Sequence, residues 1–118
     1  MREQEEHREH SPFEGMLAEW LERPIPKDWP SWDLQRRRMY WSGSMQGEIE
    51  TVPRRRVCVA EIWAEMLTGD PKTMQRRQAM EINAAMQTIS GWEYMRTPRA
   101  FDLYGNQRGY KRIEEIRE

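Results

Sequence analysis

Cysteine is nearly missing from this 118-residue chain: Cys58 stands alone. No disulfide can form within it, and a reducing cytoplasm is the expected setting. No apolar run approaches the roughly 18 residues of a membrane span, and the acidic N-terminal stretch has no secretory-leader pattern. The G-x-x-x-x-G-K-[ST] phosphate loop is absent; Gly105 and Gly109 in "GNQRG" do not substitute for one. Histidine is limited to His7 and His10, whose i, i+3 spacing comes with no further ligand pattern for a metal site. The expectation is therefore a non-enzymatic chain with no cofactor and no metal. Apolar residues are also short, at 37%, so any core must be thin. Six tryptophans and nine methionines offset part of that shortage, because each buries a large area.

Net charge is close to balance, at -1, and by itself predicts no nucleic-acid binder. Its distribution is uneven. Residues 1–52 hold seven basic against eleven acidic side chains, whereas residues 53–113 hold eleven against six. Two faces with different partners are implied.

Residues 2–10, "REQEEHREH", carry no apolar face and read as a solvated lead-in. In "SPFEGMLAEWLERP" Ser11 caps a helix, Pro12 takes its first position and Glu14 completes a capping box. Phe13, Met16, Leu17, Trp20 and Leu21 then form one apolar stripe, which Pro24 and Pro26 stop. Ser31 is the expected cap of a second helix near 32–41, with Trp32, Leu34, Met39, Tyr40 and Trp41 around Arg36, Arg37 and Arg38. "SGSMQG" is a loop. "EIETV", with Val57 and Val59, predicts a short strand before a third helix. There Val59, Ile62, Trp63 and Met66 make the apolar face, and Gly69 the stop. "DPKT" makes a tight turn with Asp70 or Thr73 as the next cap. A fourth helix runs from Thr73 to about Ile89, burying Ala79, Ile82, Met86 and Ile89, and Gly91 ends it. "WEYM" and "QRGYKRI" then alternate as strands around a loop holding Pro98 and the turn pair Gly105-Asn106.

The predicted class is mainly α with a small β-hairpin. Its element order is that of a winged helix-turn-helix over residues 49–118, preceded by an N-terminal helical segment over 1–48. In that reading the fourth helix presents Arg76, Met80, Asn83 and Gln87 on one face, about 110° from the buried stripe. Arg, Asn and Gln suit base edges. Lys72, Thr73, Arg76 and Arg77 lie at the end that a recognition helix presents to the groove. Arg108, Lys111 and Arg112 in the hairpin, with Arg96 and Arg99 in its loop, suit phosphates. The plainer reading is a solvated polar face with Arg77 and Glu81 as an i, i+4 pair. Glu61 and Glu65, read as exposed on the third helix, count against a phosphate partner. The "RRR" runs at 36–38 and 54–56 read as solvated faces, Cys58 as a buried structural thiol, and the tryptophans as core and helix-packing residues, with Trp92 and Tyr94 beside the wing a partial exception as base-stacking platforms.

Several segments carry a resemblance. "EEHREHSPFEG", "WDLQRRRMYWSG", "VPRRRVCVAEIWAEMLTGDP", "MEINAAM", "GWE" and "YGNQRGYKR" resemble, in this order, the C-terminal region of the virulence-associated E family. Those are phage and mobile-element replication proteins that look like superfamily-three primase–helicases. The resemblance implies a C-terminal piece of a longer protein in a bacterial host cell. An upstream ATPase domain would be its neighbour, the segment around "EQEEHREH" the exit from that domain, and oligomerisation would come from the motor. No residue of such a motor has a counterpart here. The expected role is DNA engagement, duplex rather than single-stranded, at a replication origin, with no membrane partner. The alternative is a protein-interaction module that docks on the motor, a neighbouring subunit or a host replication factor through the acidic N-terminal segment and Glu61/Glu65.

Overall fold

The computed structural model describes residues 12–45 and 47–113. The Ser11 cap, the lead-in at 2–10 and the His7/His10 pair lie outside the described residues. Pro12 opens helix α1 (Pro12–Leu21), which buries Leu17, Trp20 and Leu21. Phe13 packs half-buried against the same core, but Met16 is 56% exposed, so the buried stripe is narrower than the periodicity suggests. Strand β1 (Ile25–Pro26) pairs antiparallel with β2 (Thr51–Val52), Ile25 opposite Val52. A 3-10 turn at Trp29–Ser31 leads to α2 (Leu34–Ser42), whose cap is Asp33 rather than Ser31. The Asp33 carboxylate accepts the Arg36 N–H at 2.9 Å, while the Ser31 hydroxyl is turned back onto the Asp28 carbonyl at 2.8 Å.

Strand β3 (Arg56–Val57) precedes α3, which begins as an α-turn at Val59–Glu61 and widens into a π-turn over Ile62–Met66. Val59 thus belongs to the helix, not to the strand. The stop is also displaced by one residue, since Thr68, not Gly69, takes the left-handed conformation, at φ 55. Gly69 is required for a different reason: a Cβ there would collide with the Trp63 indole. Asp70 caps only the 3-10 turn Pro71–Thr73, accepting the Lys72 N–H. Helix α4 (Arg76–Gln87) starts three residues later than Thr73, behind a capping box of Gln75 and Gln78. Strands β4 (Trp92–Tyr94) and β7 (Tyr110–Arg112) pair antiparallel, and β3 adds to the other edge of β7, giving the order β3-β7-β4. Between β4 and β7 a smaller pair, β5 (Arg99–Ala100) and β6 (Asn106–Gln107), frames a 3-10 turn at Asp102–Tyr104. Gly109 lets β7 approach β3, because a Cβ there would run into the Val57 carbonyl.

The chain is thus mainly helical with small antiparallel sheets, and its elements share one core. Leu17, Trp20 and Leu21 of α1 meet Val57, Val59, Ile62, Ile82, Ala85, Met86, Trp92 and Tyr110 in a single cluster. Residues on both sides of position 48 therefore pack together. None of the helices among the described residues is long and apolar enough to cross a membrane.

Candidate nucleic-acid interface

Helix α4 is amphipathic. Ile82, Ala85 and Met86 are buried, while Arg76, Arg77, Met80, Ala84 and Gln87 are exposed. Lys72 and Thr73 are exposed in the turn just before it. Neither Arg76 nor Arg77 forms an ion pair among the described residues. Asn83 is half-buried and already engaged. Its amide donates to the Ala79 carbonyl at 3.1 Å, and its Oδ1 accepts the Tyr110 hydroxyl at 2.7 Å. That bond ties α4 to the centre of the three-stranded sheet, so Asn83 orients the helix and is not free to meet a base edge.

The sheet side carries the remaining cations. Arg96, Arg99, Arg108 and Lys111 are exposed, and Lys111 lies across from Arg56 on one neighbour and Glu93 on the other. Arg96, Arg99 and Lys111, with Glu93 and Tyr94, line a common cavity of about 340 Å³. Arg112 behaves differently. Its guanidinium lies 4.6 Å over the Trp92 ring, donates to the Arg54 and Leu21 carbonyls, and pairs with Glu22 at 3.1 Å. It fastens β7 to α1 and has little left for a phosphate.

The largest departure from expectation lies on α3. Glu61 and Glu65 are buried, at 5% and 2% exposure, and so are Arg37 and Arg54, each at 1%. Neither the exposed carboxylate surface nor two wholly solvated "RRR" runs exist. Arg37 pairs with Glu65 at 2.9 Å and approaches Glu61 at 3.9 Å, while Arg54 pairs with Glu61 at 2.9 Å. Arg37 also donates to the Trp29 and Trp32 carbonyls. Glu65 accepts from the Trp41 indole at 3.0 Å and the Tyr104 hydroxyl at 2.7 Å. Arg54 lies 4.4 Å over Trp20 and 5.6 Å over Trp41. Among the described residues its Nε and Nη2 have no hydrogen-bond partner, so the indole faces supply much of its compensation. Arg38, half-buried, donates to the Ala64 and Gly69 carbonyls at the wide end of α3.

Burial, and then the charge of Glu61, raise the carboxyl of Glu65 above its ordinary value, against the pull of Trp41, Arg37 and Tyr104. Burial, and then Glu65, raise the Tyr104 hydroxyl as well. The Cys58 thiol is pushed up to about 12, first by burial and then by Glu61. A buried protonated thiol is inert packing material, as its apolar neighbours imply.

The sequence offers one cue to this cluster. The 36–38 run lies between Trp32 and Trp41, and an arginine beside several indoles has a partner other than water; the 54–56 run has no tryptophan beside it and reaches Trp20 and Trp41 only through the fold. The ion-pair partners lie 28 and 7 positions away along the chain, so spacing along one helix could not reveal them. With Glu61 and Glu65 neutralised inside, two carboxylates no longer stand in the way of an anionic partner. Comparison with protein-family models and with curated proteins returns no match.

Proposed function

We propose that this chain is a non-catalytic DNA-binding module of winged helix-turn-helix type, from a phage or mobile-element replication primase–helicase of the virulence-associated E kind. The strand order β3-β7-β4, with α3 and α4 between β3 and β4, supports the architecture. The observation that carries the function is the pair Arg76 and Arg77. Both are exposed at the start of a helix whose opposite face is core, and both oppose the helix dipole there. A duplex phosphate or guanine edge turns that unfavourable placement into a favourable one. Lys72 and Thr73 extend the contact from the preceding turn, Met80 and Gln87 continue it along α4, and Arg96, Arg99, Arg108 and Lys111 hold the backbone beside the groove.

Near-zero net charge implies weak, salt-sensitive binding by one copy. Tethering several copies to an oligomeric motor raises the effective concentration. The docking alternative loses Glu61/Glu65 as its working surface, since both side chains are buried and paired. Titration of labelled duplex into the full chain at roughly 50 mM salt tests the reading. Binding that disappears on charge reversal of Arg76 and Arg77 is the expected result. No binding even by covalently linked copies would remove it.

A further inference from the structure

A cavity of about 460 Å³ contains none of the residues assigned to DNA above. It opens between the β1–β2 pair, the segment 53–56 and Phe101–Asp102. Ile25 and Val52 stand directly opposite one another across β1 and β2, so their side chains share one face. Lys27, two positions on from Ile25, belongs to the same face. Pro30 and Pro53, both exposed, complete an apolar rim. On the far wall the buried Phe101 ring lies beneath Arg56, whose guanidinium sits 4.5 Å over the ring centroid.

The acids of this cavity are already engaged and one of its cations is not. Glu61 is taken by Arg54 at 2.9 Å, and Asp102 lies 3.7 Å from Arg37. Lys27 meets Glu50 at 3.6 Å, both exposed, a pair of little strength. Arg56 has no acid within ion-pair distance among the described residues. Its Nη2 donates to the Ala100 carbonyl at 2.7 Å. That bond and the Phe101 ring hold the guanidinium in place, so it loses little freedom on meeting a ligand. Its Nε and Nη1 have no hydrogen-bond partner among the described residues. A hollow of roughly 300–1,000 Å³ with apolar walls and a few fixed polar groups is the usual form of a small-molecule site. One preset guanidinium matches a carboxylate through two parallel donors, and the apolar rim suits hydrocarbon beyond it. We propose that this cavity binds a small molecule with one carboxylate and an apolar body. The carboxylate sits on Arg56 and the body lies against Ile25, Val52 and Pro53. This site is separate from the DNA-binding surface and does not rest on that reading.

The probe is naphthalene-2-carboxylate, titrated into the full chain while backbone amide shifts are followed by NMR. Saturable shifts should centre on Ile25, Lys27, Val52, Arg56 and Phe101. The neutral isostere, naphthalene-2-carboxamide, should bind about tenfold more weakly, the size of one hydrogen bond between charged groups. Arg56→Gln, a change at an exposed position, should bring the carboxylate down to the affinity of the carboxamide and leave the carboxamide little changed. Val52→Asp should weaken both probes, and the carboxylate more, through repulsion. Equal affinity for the two probes overturns the inference, and so does a preference for the carboxylate that survives Arg56→Gln. Shifts centred on Arg96, Arg99 and Lys111 would make the probe a counter-ion of surface cations and overturn it as well. Absence of saturation at millimolar probe has the same consequence. Loss of the DNA reading leaves this inference standing, and the reverse holds too.

Discussion

The cluster around Arg37 and Arg54 and the surface around Arg76 and Arg77 use the same side chain in opposite surroundings. In the first, each guanidinium is 1% exposed and closes on a carboxylate at 2.9 Å. It joins α2, α3, the segment before β3 and the 102–104 turn. In the second, the guanidiniums are exposed on a helix whose buried face is supplied by Ile82, Ala85 and Met86. An arginine that closes on internal acceptors stabilises the fold and offers nothing outward. An arginine left without them is available to an external anion. Charge alone does not mark a binding surface; the state of each cation's donors does.

Breaking the interior pair should have the largest effect. Arg37→Ala leaves Glu65 and Glu61 short of a buried counter-charge and is expected to cost about 3–5 kcal/mol, read by urea or thermal unfolding. Replacing both members, Arg37→Met with Glu65→Leu, should recover much of that loss, because no uncompensated charge remains. Equal losses for the single and double variants would mean that packing, not charge pairing, sets the cost.

Tyr104→Phe removes one donor to Glu65 and, with it, the bond that fastens the 102–104 turn to α3. A hydrogen bond to a charged group is worth roughly 1.5–3 kcal/mol, so an intermediate destabilisation is expected in the same melts. A change near zero would separate that turn energetically from the cluster.

The pH profile sharpens the comparison further. Because the folded-state value of Glu65 is raised above its ordinary 4.5, its contribution is fully present below that value. It is lost as pH rises through the higher folded value. Stability should therefore carry a component that falls with rising pH above 4.5, and Glu65→Gln should flatten it whatever the variant's absolute stability. An unchanged slope would exclude Glu65 as its source.

The smallest effect on stability, with the opposite sign, belongs to the exposed pair. Arg76→Glu places an acid at a helix N-terminus, which favours folding by roughly 0.3–1 kcal/mol at low salt, whereas Arg77→Glu adds repulsion from Glu81 one turn on and should come out near neutral. Under the proposed function the same changes abolish DNA binding. Destabilisation by Arg76→Glu instead would mean that this arginine has an internal partner after all.

Local pattern was enough for much of this architecture. Pro12 and the spacing of Leu17, Trp20 and Leu21 define α1, the apolar positions from Ala79 to Met86 define the buried side of α4, and alternation marks β4 and β7. These follow from helix and strand periodicity, which needs only near neighbours. Boundaries were less legible: the start of α4 shifted to Arg76 because a 3-10 turn and the Gln75/Gln78 box intervene. Of the candidate site, Lys72, Thr73, Arg76, Arg77, Met80, Gln87, Arg96, Arg99, Arg108 and Lys111 are exposed. Asn83 and Arg112 turn inward to Tyr110 and to α1.

By itself, the sequence determined the four helical segments, the strands β4 and β7 and the uneven charge, because these depend on residue type and short-range spacing. Only tertiary structure decided which charges face water. Glu61 and Glu65 go inside because Arg37 and Arg54, from distant segments, arrive with tryptophans around them to offset the cost of desolvation. Arg76 and Arg77 stay outside because no acid comes to meet them among the described residues. Burial of a charge depends on partners brought together in space, and no window of the chain contains them.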